Sequence, residues 1–217
     1  MGRLSALAAA AAAAGLAVLG CEDGRGHPAA GLKRSEAVLA SGPAAPAAVD
    51  AAPRAAAPRA PRTLCPGPPL GRAFPPGHLA QVAAAGAAAL PERLPTPGKW
   101  NWISLWAAWC GPCKEEAPRL VRWQRDLGLD LHFVSLDDDR RQLVRELDAP
   151  PVPALNRSYW LPEGGGRDAW LKALNLKTEP TLPVQILVAP SGKVHCVIEG
   201  AVDDGDRAQV AAIVRGR

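Results

Sequence analysis

Between Glu22 and Arg62 the chain has no aromatic residue, and Ala, Pro, Gly and Arg dominate. A stretch so poor in large apolar side chains buries too little surface to offset the entropy of ordering it. It reads as an extended, semi-rigid spacer, typified by Ala57-Pro58-Arg59-Ala60-Pro61-Arg62. All seven Trp lie instead between Trp100 and Trp170, so the folding part begins near Thr63. The 155 residues from Thr63 to Arg217 suit one compact core. That part also lacks an excess of positive charge. The whole chain carries +4, but from Thr63 onward 18 Lys and Arg face 17 Asp and Glu. A nucleic-acid-binding domain concentrates basic charge on its folded part, so no nucleic-acid partner is expected. Cysteine is sparse, with five residues in 217. No second closely spaced pair accompanies Cys110 and Cys113 to complete a zinc site. Cys65 and Cys196 are single and far apart, and His195 adds little, so neither a metal nor another cofactor is expected.

What is present begins with an address. Met1-Gly2-Arg3 is a short positive start, and Leu4 to Leu19 is an uninterrupted run of mostly Ala, Leu and Gly. This is a signal-peptide pattern, short and Ala-rich for a membrane-spanning helix, with an uncleaved anchor helix or a free Cys at the end of the signal as the alternatives. Its end, Val18-Leu19-Gly20-Cys21, resembles the bacterial lipobox, in which the Cys becomes the lipidated first residue of the mature protein. The expected organisation is a signal peptide over 1–20, lipidated Cys21 and linker over 21–62, and a folded domain over 63–217. Such a protein is a membrane-anchored lipoprotein of the bacterial cell envelope, facing the periplasm or the exterior.

Within the folded part, Gly77 to Leu90 predicts a helix ended by Pro91, because Ala favours helix although it offers little to pack. Asn101 to Trp106 is a short apolar run rich in β-branched and aromatic residues, hence a buried strand. A helix over about Cys110–Leu127 carries an apolar stripe of Leu120, Val121, Trp123 and Leu127, with Pro118 expected to kink it. Leu131–Leu136 predicts a strand and Arg140–Leu147 a short helix. Val152–Gly166 predicts a loop with Tyr159, Trp160 and Leu161 pinned to the body, and Arg167–Leu174 a helix. Val184–Ala189 and Val194–Glu199 predict a hairpin around Pro190-Ser191-Gly192, and Asp206–Val214 a closing helix capped by Asp203 or Asp204. The order β-α-β-α-α-β-β-α is an α/β layout.

Two Cys separated by two residues at a strand-to-helix junction have a definite consequence. Unpaired N–H groups and the positive end of the helix dipole favour a thiolate at Cys110. They can lower its pKa from about 8.5 to about 7 or below. Cys113 lies one turn on, on the same face, within reach. An exposed thiolate with a resolving partner is what disulfide exchange needs. Gly111 permits the tight turn, and Pro112 presets φ for the first turn.

Trp106-Ala107-Ala108-Trp109-Cys110-Gly111-Pro112-Cys113-Lys114 resembles the thioredoxin active-site signature. Glu115-Glu116-Ala117-Pro118, Asp137, and Pro183-Val184-Gln185-Ile186-Leu187-Val188 with Gly192 and Gly200 resemble the TlpA-like (ResA-like) membrane-anchored thioredoxins. The likeness covers about Lys99 to Arg217. It implies a thioredoxin fold, a mixed central sheet flanked by helices, behind a disordered N-terminal tether. It implies Cys110 as nucleophile, Cys113 as resolving thiol, and Trp109 packed beside them to limit access. Glu116 matches a carboxylate that tunes the cysteines and relays protons. The i, i+3 spacing from Cys113 supports this independently, against the alternative of a solvated surface charge; Glu115 fits that alternative better. Pro183 is implied as the cis-proline that presents the Leu182 backbone to a bound peptide, with Pro180 as the other candidate.

The sequence also departs from the pattern. Ser104 stands where thioredoxins carry a buried Asp, and residues 63–97 lack the usual amphipathic hairpin and look lineage-specific. With Cys21 lipidated and Cys110 paired to Cys113, Cys65 and Cys196 remain: either a second, structural disulfide or two buried free thiols. The implied function is thiol–disulfide exchange on exported proteins as a reductant, as in cytochrome c maturation, recharged by a membrane donor of the thioredoxin-relay type. The alternatives are a disulfide-forming oxidase and a partner-docking module without catalysis.

Overall fold

The computed structural model describes residues 62–216. The signal-peptide reading, the lipidation at Cys21 and nearly all of the spacer fall outside them. The elements are β1 (Ala80–Ala83), β2 (Asn101–Trp106), α1 (Gly111–Leu127), β3 (Asp130–Ser135), α2 (Arg140–Asp148), β4 (Arg157–Trp160), α3 (Gly165–Ala173), β5 (Val184–Val188), β6 (Val194–Glu199) and α4 (Arg207–Val214). Short 3-10 turns, Pro153–Leu155 and Asp204–Asp206, precede β4 and α4. No helix among the described residues is long and apolar enough to cross a membrane.

The strands form one six-stranded sheet in the order β1-β4-β3-β2-β5-β6. β2, β3 and β4 run parallel, while β1, β5 and β6 run antiparallel to their neighbours. Alternation along the strands splits the core between two faces. Trp102 and Trp106 of β2 meet Leu120 and Trp123 of α1, Leu143 and Leu147 of α2, and Val210 of α4. Ile103 and Leu105 point the other way, onto Trp170 and Leu171 of α3. With both faces covered, β2 is buried along its whole length.

Most of the predicted elements form within a residue or two. α1 runs unbroken through Pro118, with Cys110 as its N-cap residue. It ends at Gly128, whose φ of 67° is the left-handed conformation that lets its N–H reach back to the Gln124 carbonyl. Asp203 accepts from the Gly205 N–H and begins a capping box with Asp206.

Two expectations fail. Gly77–Leu90 is not a helix; it holds edge strand β1, and the chain turns at Ala84–Ala87. The Ala run offers a helix almost no apolar face, since Val82 is its one large buried side chain, and pairing with β4 satisfies the backbone instead. Nor is Val152–Gly166 simply a loop. Arg157–Trp160 is β4, whose Ser158 points into the core, accepts from the Trp106 indole N–H at 3.0 Å and donates to the Phe133 carbonyl. Its neighbours Tyr159 and Leu161 are buried, as their anchoring role requires.

Ahead of β1, the chain lies along the far edge of the sheet. The N–H groups of Leu70, Gly71 and Phe74 donate to the carbonyls of His195, Val194 and Gly192. Arg62, read from sequence as the last spacer residue, is already docked: it pairs with Asp206 at 2.9 Å, and its carbonyl accepts from Gln209. Leu64 is buried beside them.

Candidate active site

The Cys110–Cys113 pair sits where β2 gives way to α1, and the described state is the oxidised one, with an S–S bond of 1.96 Å. Cys110 takes the N-cap position with extended backbone, and its Sγ accepts from the Cys113 N–H at 3.3 Å. A sulfur placed at the open end of a 17-residue helix, against a helix-terminal N–H, is better stabilised as an anion than as a thiol. Pro112 lies in the first turn, where a missing N–H costs nothing. Gly111 differs from expectation. It is not among the positive-φ glycines, and a Cβ there would meet nothing within 4 Å. The turn itself does not demand glycine.

The exposure of the site is also distributed differently from the expectation. Both cysteines are only 3% exposed, whereas Trp109 is 61% exposed. Trp109 is therefore the exposed aromatic residue of the motif. It lines a cavity of about 480 Å³ together with Leu182, Leu136, Asp138, Glu163 and Arg167. The Leu182–Pro183 peptide is cis. The other cis bond among the described residues is Leu94–Pro95, so Pro180 is not cis.

A buried carboxylate, Asp137, holds the loop that presents the motif. Both of its oxygens accept from the Ala108 N–H, at 2.9 and 3.1 Å, and one also accepts from Ser135 Oγ at 2.7 Å. Burial pushes its pKa up, opposed first by the Ala108 N–H. Arg167 of α3 holds the chain beyond β3 through the Asp137 carbonyl and an ion pair with Asp138 at 2.7 Å, and also donates to the Leu161 carbonyl. Replacing Asp137 with Ala strands a buried N–H and should cost about 1–3 kcal/mol, read as a lower denaturant midpoint at unchanged slope. Asn retains one oxygen for Ala108 and should lose less.

Glu116 lies one turn beyond Cys113 on the buried face of α1 and is 1% exposed, which removes the solvated-charge alternative. Glu115 is exposed. The Glu116 carboxylate accepts from the Val202 N–H at 2.9 Å and from the Gln185 side-chain amide. Burial raises its pKa from 4.5 to about 7, against the lowering effects of Val202, Arg119, Gln185 and Arg62. A carboxyl so raised contributes most to stability below 4.5, and the contribution is lost as pH rises through about 7. The loss is on the order of 3 kcal/mol. Glu116→Gln should therefore abolish that part of the pH dependence, so that its stability difference from wild type changes steadily between those two pH values. Denaturant melts across the interval check it.

Sequence reasoning missed Gln185 and Trp102 as members of this network. Gln185 is buried, lies directly across from Ser104 in the β2–β5 register, and accepts from the Trp102 indole N–H at 2.6 Å. A signal was present: one amide inside the run Val184–Val188 must find partners when buried. Away from this centre, Cys65 and Cys196 are joined by a disulfide that ties the segment before β1 to β6.

Residues 90–157 match the Thioredoxin family model. The chain is similar to the thiol-disulfide oxidoreductase ResA of Oceanobacillus iheyensis, 25% identical over 140 residues that cover 61% of this chain and 66% of the relative. It is similar to thioredoxin of Bacillus subtilis, 45% identical over 38 residues, 18% of this chain and 36% of the relative. The chain thus spans just under two thirds of the one relative and about a third of the other. Among solved structures, the thioredoxin domain of a thiol-disulfide oxidoreductase from Bacteroides vulgatus is 19% identical, with a TM-score of 0.47 over 66% of this chain and 96% of that one. From the family match and the mixed six-stranded sheet flanked by helices, the chain is a thioredoxin-fold protein whose Cys110–Cys113 pair fits a redox-active CXXC site.

Proposed function

We propose that this protein is a thiol–disulfide oxidoreductase that reduces disulfides in exported proteins. The observation that carries the reading is Cys110 Sγ at the head of α1, accepting from the Cys113 N–H within the bonded pair. In the reduced protein the Cys110 thiolate attacks one sulfur of a substrate disulfide. An S–S bond forms between enzyme and substrate as the substrate's own breaks, and one substrate thiolate leaves. Cys113 then gives up its proton and attacks Cys110 Sγ, which closes the internal disulfide and releases the second substrate thiolate. Two electrons pass to the substrate, and a dithiol donor restores the pair. Glu116 is the buried group one turn from Cys113 with a pKa suited to take that proton near neutral pH. Exposed Trp109 and the backbone of Leu182, beside cis-Pro183, form the surface on which a substrate segment lies.

The same proposal places the protein in the bacterial cell envelope. Cleavage after Gly20 and lipidation of Cys21 anchor it, the Ala/Pro-rich spacer separates the domain from the bilayer, and a membrane donor of the thioredoxin-relay type recharges it. Support for this part is the sequence pattern at Val18–Cys21. Equilibrating the pair in defined thiol–disulfide buffers tests the direction. A reduction potential near about −270 mV supports the reductant, and one near about −120 mV contradicts it in favour of an oxidant.

A further inference from the structure

Gln185 joins the strand that follows cis-Pro183 to the helix that carries the cysteines. Its orientation is dictated chemically. An indole N–H donates and cannot accept, so the amide oxygen must face Trp102 Nε1, which it does at 2.6 Å. The NH₂ group is thereby aimed at Glu116 Oε1, to which it donates. Glu116 Oε2 is taken by the Val202 N–H. Both carboxylate oxygens thus face donors that cannot accept a proton in return. All four groups are buried or part-buried, so none of these partners is readily replaced by solvent.

We propose that Gln185 is a positioning residue for disulfide exchange: its amide, oriented by Trp102, holds the Glu116 carboxylate one turn from Cys113 for proton transfer. The proposal rests on the oxidoreductase reading above. Trp102 acts through Gln185 by fixing which end of the amide meets the carboxylate. Because the NH₂ group favours the ionised acid, the pair also sets the pH at which Glu116 surrenders its proton. The other charged groups acting on Glu116 are Arg119 from α1 and Arg62 from the segment ahead of β1. Arg62 is engaged by Asp206, and Arg119 by Asp204 and the Val202 carbonyl.

The test titrates Glu116 by the infrared band of its protonated carboxyl, identified as the band that Glu116→Gln removes. Gln185→Met keeps the length of the side chain and deletes both polar atoms. It should raise the midpoint by about one pH unit. Trp102→Phe keeps an aromatic ring, frees the amide to rotate, and should raise it by less. Trp102→Phe also carries the test if Gln185→Met does not fold. In parallel, breakdown of a peptide mixed disulfide on Cys110 is followed against pH. Its profile should move upward with Gln185→Met, and should not move further when that change is added to Glu116→Gln. An unchanged infrared midpoint overturns the proposal. So does a moved midpoint with an unmoved breakdown profile, or a profile shift that persists without Glu116. If the wild-type protein exchanges no disulfides, the oxidoreductase reading fails, and with it the role in exchange. The infrared midpoints then show separately whether Gln185 holds the carboxylate.

Discussion

Replacing Cys113 with Ser should leave the protein able to attack a disulfide and unable to let go of it. Cys110 remains at the N-cap of α1, where the helix terminus favours its thiolate, and the N–H of residue 113 that faces it belongs to the backbone and survives the change. The first step, formation of a mixed disulfide, therefore proceeds. The second step has lost its nucleophile. The expected result is a covalent adduct through Cys110 with a peptide disulfide, stable to denaturation and released by reductant, while turnover falls by on the order of a thousandfold or more. Cys110→Ser should lose turnover to a similar extent and form no adduct. The contrast between the two variants separates an enzyme from a docking module. A pure binder would keep its partner contacts in both.

The second large effect concerns stability. The Cys65–Cys196 bridge closes a loop with a sequence separation of 131 residues, nearly the whole described domain. Cross-linking so long a loop restricts the unfolded chain, and removing a native bridge typically costs about 2–4 kcal/mol. The double variant Cys65→Ser/Cys196→Ser should unfold at a correspondingly lower denaturant concentration. Its Cys110–Cys113 chemistry should be retained below that midpoint, because the redox pair is anchored through β2, β3 and α1, which the bridge does not join. A double variant as stable as wild type would mean that the non-covalent contacts of Arg62 and Leu64 with the α4 region and of Leu70–Phe74 with β6 hold that segment by themselves. Acid should not mimic the loss, since a disulfide does not titrate.

These expectations draw on parts of the molecule that were unequally legible beforehand. The central strand, α1 and the terminal hairpin follow from periodicity, because a long apolar run or a helical stripe leaves few other conformations. Cys110 and Cys113 follow from spacing, since two residues between thiols at a helix start put both on one face. β1 and β4 were not legible. Each has four residues, and what makes them strands is pairing with one another and with β3, a long-range event that local composition does not encode. The segment Gly77–Leu90 points to helix on the propensity of its Ala run alone, and its first part loses to a neighbour's unpaired edge.

The site divides in the same way. Spacing brings Glu116 to the face of Cys113, yet its burial depends on Gln185 and Val202, 69 and 86 residues further along the chain. Ser104, noted for lacking the expected carboxylate, pairs in register with Gln185. In this layer the side chain that reaches Glu116 is the Gln185 amide on β5. Asp137 belongs to the motif resemblance, but its work of holding Ala108 becomes visible only when β3 lies beside β2. Trp109, expected beside the pair, is largely exposed, while both cysteines are buried. Access is limited by the burial of both sulfur-bearing residues within the core packed around α1.

Everything proposed for the reaction depends on the ionisation of Cys110 in the reduced protein. The direct measurement is the rate of its alkylation as a function of pH, with the Cys65–Cys196 bridge left intact and the labelled thiol identified by peptide mapping. A midpoint at or below about 7 is predicted. Alkylation that follows the titration of an ordinary thiol, near about 8.5, would contradict the account.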